Sequence, residues 1–166
     1  KDPRNRKKGH QKVKLLLESW KRYLAEELVK FSGILKLIPD EDTIGELRTI
    51  SANLPPDAVS LPEDKWHVTL AHQSVLEPYR KQLKTIDKAG EMPSGPRVVL
   101  LPEIEERTDD TLGRKSWVVW LENQDEMKDY MSQIMEMVGG PLDPEPNRRF
   151  HISIANLTGN PGESVR

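Results

Sequence analysis

The chain has no cysteine among its 166 residues, which removes disulfide frameworks, thiol nucleophiles, Cys-x-x-Cys redox centres and cysteine-ligated zinc from consideration. It also lacks any long hydrophobic run. Stretches such as Ile34 to Ile38, broken by Lys36, fall far short of the roughly 20 apolar residues that span a bilayer. No segment has the pattern of a secretory signal. The expectation is a soluble, cytoplasmic protein without membrane contacts. Histidine is scarce, at His10, His67, His72 and His151 only. The length suits one domain, which at this size buries roughly 70% of the surface its unfolded chain exposes and needs no covalent staple. A start at Lys1 rather than Met leads us to expect a processed piece of a longer product.

Charge is nearly balanced, with 25 basic and 27 acidic side chains for a net of −2, but it is unevenly spread. Residues 1–30 hold ten basic and four acidic groups, and residues 31–166 hold 15 and 23. Most of the basic excess is Lys1, Arg4, Arg6, Lys7, Lys8, Lys12 and Lys14, opposed only by Asp2. Such a cluster can bind nucleic acid by displacing counterions from phosphates, and at a chain end it can equally be a solvated terminus. The acidic body suits a small or locally gripped phosphate substrate better than a long duplex.

Periodicity divides the chain into elements. Val13, Leu16, Leu17, Trp20, Leu24, Leu28 and Phe31 recur at helical steps and predict an amphipathic helix over residues 11–31. Gly33 to Ile38 reads as a strand closed by Pro39, and Asp40 or Asp42 as the cap of a helix that turns Ile44, Leu47, Ile50 and Leu54 inward before Pro55-Pro56. Trp66 to Ala71 alternates as a strand. Pro78 suits the first turn of a helix through Lys88, with Tyr79, Leu83 and Ile86 on one side. After the break at Gly90 to Pro96 come strands over Arg97 to Glu106 and Arg114 to Leu121, joined by the turn Thr108 to Gly113. Met127, Tyr130, Met131, Ile134 and Val138 mark a helix ended by Gly139-Gly140, and Arg149 to Ala155 is the last strand.

Laid over itself at an offset of 84 residues, which carries His67 onto His151, the chain matches without a gap. Trp66 meets Phe150, Val68 Ile152, Thr69 Ser153, Leu70 Ile154 and Ala71 Ala155. Upstream, Ile34 and Leu35 meet Val118 and Val119, Leu47 Met131, Ile50 Ile134, Leu54 Val138 and Pro62 Pro146. The reading is a duplicated β-α-β unit. Because side chains alternate along a strand, His67 and Thr69 share one face while Val68 and Leu70 take the other, and His151 and Ser153 share a face likewise. A pseudo-twofold pairing of the halves brings two imidazoles and two hydroxyls to one cleft. Two histidines suffice for acid–base cleavage of a phosphodiester, one neutral and accepting a proton from the attacking hydroxyl, the other protonated and donating to the leaving oxygen. An ordinary pKa of about 6.5 lets both states coexist near neutrality. Thr69 and Ser153 are placed to hold the non-bridging oxygens.

His67-Val-Thr69 and His151-Ile-Ser153 resemble the paired His-x-Thr/Ser motifs of the two-histidine (2H) phosphoesterase superfamily, with Ser in place of the commoner Thr in the second. The resemblance covers roughly residues 32–157. It implies a bilobal α+β fold with a first lobe about 32–90 and a second about 97–157, antiparallel sheets around a pseudo-twofold cleft, and the N-terminal segment 1–31 outside it. It also implies catalysis without a metal or other cofactor. The tail from Asn156 to Gly162 bears a loose likeness to phage-encoded and RNA-repair-associated members. The expected function is therefore a 2H-type phosphodiesterase, acting as a monomer on an RNA 2′,3′-cyclic end, a cyclic nucleotide or a short oligonucleotide. His67 and His151 are the acid/base pair, and the symmetry of the motifs leaves open which is which.

Each reading has a plainer rival. A lone strand histidine is usually structural, and the doubling of the motif is what weighs against that here. His72 reads as a surface or supporting residue, and His10 as exposed. Lys65, Arg148 and Arg149 adjoin the motifs and suit either substrate phosphates or a solvated rim. Trp66 and Phe150 point away from the histidines and read as packing, as do Met127, Met131 and Met135. Asn156-Leu157-Thr158 spells a glycosylation sequon, which has no meaning without a secretion signal. The alternative from another class is a catalytically silent RNA- or nucleotide-binding module using the same cleft and the basic terminus.

Overall fold

In the computed structural model, which describes residues 28–166, the strands are β1 (Leu28–Phe31), β2 (Leu35–Ile38), β3 (Val59–Ser60), β4 (Val68–Ala71), β5 (Leu100–Asp109), β6 (Arg114–Leu121) and β7 (His151–Asn156). The helices are α1 (Glu41–Ser51), α2 (Gln73–Leu76), α3 (Arg80–Lys88) and α4 (Gln124–Val138). The fold is α+β. All pairings are antiparallel, and the strands join in one sheet of order β1-β2-β4-β7-β6-β5, with β3 on the far half of β7. The seam between β4 and β7 is short, a single aligned pair, Val68 with Ile152. The expected antiparallel sheets are thus continuous across it.

Alternation explains which face is covered. Leu35, Leu37, Val68, Leu70, Val119, Leu121, Ile152 and Ile154 are fully buried in one core with Leu47, Leu83, Met127, Ile134 and Met135 from the helices. The residues between them, Lys36, Thr69, His151 and Ser153, keep partial exposure on the opposite face. α1 starts where the Asp40 carboxylate accepts from the Thr43 amide at 2.8 Å. It ends at Ser51, so Leu54 packs on the core from the following loop rather than from the helix. α4 stops where Gly139 takes φ +71, a left-handed conformation that favours glycine. Among the described residues no helix is long and apolar enough to cross a membrane.

Two expectations are corrected. The helix predicted over 11–31 lies outside the described residues up to 27, but Leu28–Phe31 is strand β1, paired with β2 in the register Phe31 to Leu35. A helix would turn Leu28 inward, yet Leu28 is 56% exposed and Val29 only 5%. Gly33 at φ +91 makes the tight return, and pairing satisfies the backbone of β2 that β4 leaves open. The second correction is at β5, which spans Leu100–Asp109 instead of Arg97 to Glu106. The turn shrinks accordingly, and Arg107 sits on a strand opposite Ser116.

Candidate active site

The uncovered face of the sheet forms a cleft of about 1190 Å³. His67, Thr69, His151, Ser153, Lys65 and Arg149 all line it. The antiparallel alignment of Val68 with Ile152 sets Thr69 level with His151 and Ser153 level with His67. Cross-strand neighbours in that relation are about 5 Å apart at Cβ and diagonal neighbours, as the two histidines are, about 7–8 Å.

Local structure carries each motif to its place. Ahead of β4, Glu63–Lys65 makes a single 3-10 turn, and Trp66 drops into the core at 4% exposure. Ahead of β7, the Gln124 side chain grips the backbone of Phe150 on both sides, accepting from its amide at 2.7 Å and donating to its carbonyl at 2.7 Å. The start of α4 therefore sets the height of His151. Arg148 ties the two motifs together, its guanidinium donating twice to the Thr69 carbonyl, at 3.1 and 2.7 Å, and once to Glu145 at 3.0 Å. Its donors are committed to holding β4. Arg149, by contrast, is exposed, its guanidinium 4.1 Å over the Trp120 ring.

The His67 ring is held at both nitrogens. Nδ1 lies 2.7 Å from the Lys65 carbonyl, which can only accept, so the proton is on Nδ1. Nε2 lies 3.1 Å from the Thr69 hydroxyl. Burial, and then Lys36 and Lys65, lower the pKa of His67 from its ordinary value, with the Lys65 carbonyl working the other way. The surroundings of His151 differ. Its Nδ1 is buried with no hydrogen-bond partner; the Arg149 carbonyl is close enough to favour a proton without meeting hydrogen-bond geometry. Its Nε2 faces the guanidinium of Arg107 at 3.5 Å, and its ring meets Trp120 edge-on at 5.1 Å. Burial first and Arg107 second push His151 down to about 4.

Among the described residues, the cleft gathers Lys36, Lys65, Arg107, Arg148, Arg149 and Arg166 against only Glu77 and Glu145. The acidic body thus turns a positive face inward, which suits an anionic ligand. Lys36 pairs across from Thr69 on β2. The tail forms one wall: Asn156, fully buried, donates to Asn160 and Ser164 and accepts from the amides of Thr158 and Gly159. Its amide is spent on that turn, so the sequon there is a structural corner. His72 stands at the rim, ahead of α2, with its amide donating to Glu145 at 3.4 Å. Among the described residues no three His, Asp or Glu side chains gather where they could hold a metal ion.

Sequence reasoning missed Arg107 and Lys36. Lys36 was legible as the outward residue of an alternating strand, whereas nothing local in Glu105-Glu106-Arg107 points at a histidine 44 residues away. No family model, curated protein or solved structure matches the chain.

Proposed function

We propose that the chain is a metal-independent phosphodiesterase of the two-histidine type, cleaving a cyclic phosphate or a 2′-involving phosphodiester of RNA or a nucleotide. The observation that carries this reading is the adjacency of two His-x-Thr/Ser strands whose imidazoles and hydroxyls share the floor of a cation-lined cleft. A phosphate seated on that floor has a hydroxyl on each side and an imidazole at each diagonal. One imidazole takes the proton of the attacking water as the new P–O bond forms. The other gives its proton to the oxygen whose P–O bond breaks. Thr69, Ser153 and the surrounding cations offset the charge on the non-bridging oxygens. Lys65 and Arg149 suit the phosphate and the flanking base.

We read the molecule further as a duplicated unit about a pseudo-twofold axis between β4 and β7. In its support, each motif strand is flanked by the strand that precedes a helix, β2 with α1 and β6 with α4. Leu37 pairs with Val68 and Val119 with Ile152, so the flanking strands slip by two residues against the offset of 84. An even slip leaves every side chain on its face.

One observation favours the rival, a silent nucleotide-binding module. Both imidazoles are held below their ordinary pKa, and a general acid must carry a proton near neutral pH. A bound phosphate anion works in the opposite direction by stabilising the imidazolium. The test is incubation in EDTA with 2′,3′-cyclic nucleotides and with short cyclic and 2′–5′-linked oligonucleotides. Turnover lost in both His67→Ala and His151→Ala is the expected result. Binding without turnover would establish the module instead, and an active His67→Ala protein would overturn the mechanism.

A further inference from the structure

Around His151 stand Arg107 and Glu105 on β5, His67 just ahead of β4, Arg148 and Arg149 on the segment entering β7, and Arg166 on the tail. Several of these have other contacts. Glu105 accepts from the Trp120 indole, Arg148 clamps Thr69, and Arg149 lies over Trp120. Arg107 is different: its two contacts are both long, 3.5 Å to His151 Nε2 and 3.4 Å to the Arg166 carbonyl. Its guanidinium is also 5.6 Å from the Trp120 ring centre. A guanidinium has five donors arranged to meet phosphate oxygens, and this one lines the cleft with its best donors under-used.

Its partner is the atom on which the chemistry turns. An Arg N–H can only donate, so Nε2 of His151 meets it through its lone pair. That same lone pair is what a general base needs. We infer that Arg107 is a phosphate ligand that exchanges His151 Nε2 for a phosphate oxygen, so that capture of the anion and release of the base are one event. The inference rests on the phosphodiesterase reading and assigns the roles which the symmetric motifs leave open. His151 accepts the proton of the attacking water at Nε2, and His67 gives its Nε2 proton to the leaving oxygen. The hydrogen bonds agree with that division. The Lys65 carbonyl at 2.7 Å holds the Nδ1–H of His67 and so supports an imidazolium there, while the corresponding Arg149 carbonyl acts on His151 in the same sense but lies outside hydrogen-bond geometry with its Nδ1. After turnover His151 is protonated and His67 neutral, and exchange with water restores both. Arg107 sits on an edge strand with partial exposure, so its replacement is not expected to unfold the chain.

The test follows the histidine ring protons of the full chain by NMR as a function of pH, with inorganic phosphate as the probe and chloride holding ionic strength constant. His151→Ala assigns the signal. In the wild type, phosphate moves the His151 midpoint up by about one pH unit or more. In Arg107→Ala the midpoint is already higher without phosphate, and phosphate binds about tenfold more weakly. Arg107→Lys, which keeps the charge but not the fork, falls between. A His151 midpoint that ignores both phosphate and Arg107→Ala overturns the inference even in an active enzyme. A midpoint that responds as stated in a protein that cleaves no phosphodiester upholds the anion switch and sinks the catalytic reading, so the two failures are distinct.

Discussion

The strand ends at His67 and His151 spell nearly the same tripeptide, yet their surroundings are opposite in kind. His67 has both ring nitrogens engaged, by the Lys65 carbonyl and the Thr69 hydroxyl, with lysine ammonium groups as its cations. His151 has an unpaired Nδ1, a guanidinium facing Nε2, and an indole at its edge. The difference comes from the neighbouring strands. β2 offers Lys36 beside Thr69, while β6 offers Trp120 beside His151 and β5 reaches over with Arg107. A repeated motif therefore does not imply repeated chemistry, because a histidine's protonation is set by groups the motif does not contain.

The largest expected effect separates the two ends by leaving group. With a cyclic-phosphate substrate, His67→Ala and His151→Ala each lose about 10³-fold or more in kcat/KM, within the usual range for acid–base groups. With a p-nitrophenyl phosphodiester, whose leaving group departs without a proton, His67→Ala recovers to within about tenfold of wild type and His151→Ala does not. Equal recovery of both variants would erase the distinction.

Stability against pH gives the next contrast. The folded pKa of His151 is about 4, below its ordinary 6.5. Above 6.5 neither the folded nor the unfolded chain binds this proton, and the contribution is fully kept. As pH falls from 6.5 towards 4 the unfolded chain takes up a proton that the folded one refuses, and stability drops by up to about 3 kcal/mol. Urea unfolding of His151→Gln should lose that part of the slope between pH 7 and pH 4. His67→Gln should lose part of the slope in the same direction, since burial lowers His67 too. A wild-type slope unaffected by His151→Gln would show that the imidazole is not held neutral by the fold.

Arg148 joins the two ends, and Arg148→Ala leaves the Thr69 carbonyl and Glu145 without their charged donor. The expected cost is about 2 kcal/mol in urea unfolding, with kcat falling in step for the cyclic-phosphate and p-nitrophenyl substrates alike. Unchanged stability would remove the clamp. The smallest effect distinguishes the hydroxyls. Thr69→Val removes a hydrogen bond to His67 Nε2 and shifts its titration, with about a tenfold loss of kcat. Ser153→Ala leaves the His151 midpoint in place, since no hydrogen bond joins that hydroxyl to the ring.

Much of this molecule is legible from local pattern. The Asp40 cap, the Met127 to Val138 stripe and the glycine stop at Gly139 each rest on contacts within a few residues, and the helix and strand periods follow from backbone geometry. The faces of β4 and β7 follow from the same two-residue period, which is why both histidines could be set on one side with both hydroxyls. Leu28 to Phe31 admits two readings because three apolar residues in four, broken by Lys30, satisfy either period. Partner strand β2 settles the matter by needing its backbone paired.

The identity, spacing and facing of His67, Thr69, His151 and Ser153 are written in the chain, since a strand obliges alternate residues to share a side. Their inequality is not. It depends on Lys36, Trp120 and Arg107 arriving from strands whose register is set only when the sheet assembles. The same holds for the positive cleft in an acidic body. Net charge is a sum over residues, but the field at a phosphate depends on which side chains the fold places within a few ångströms of it.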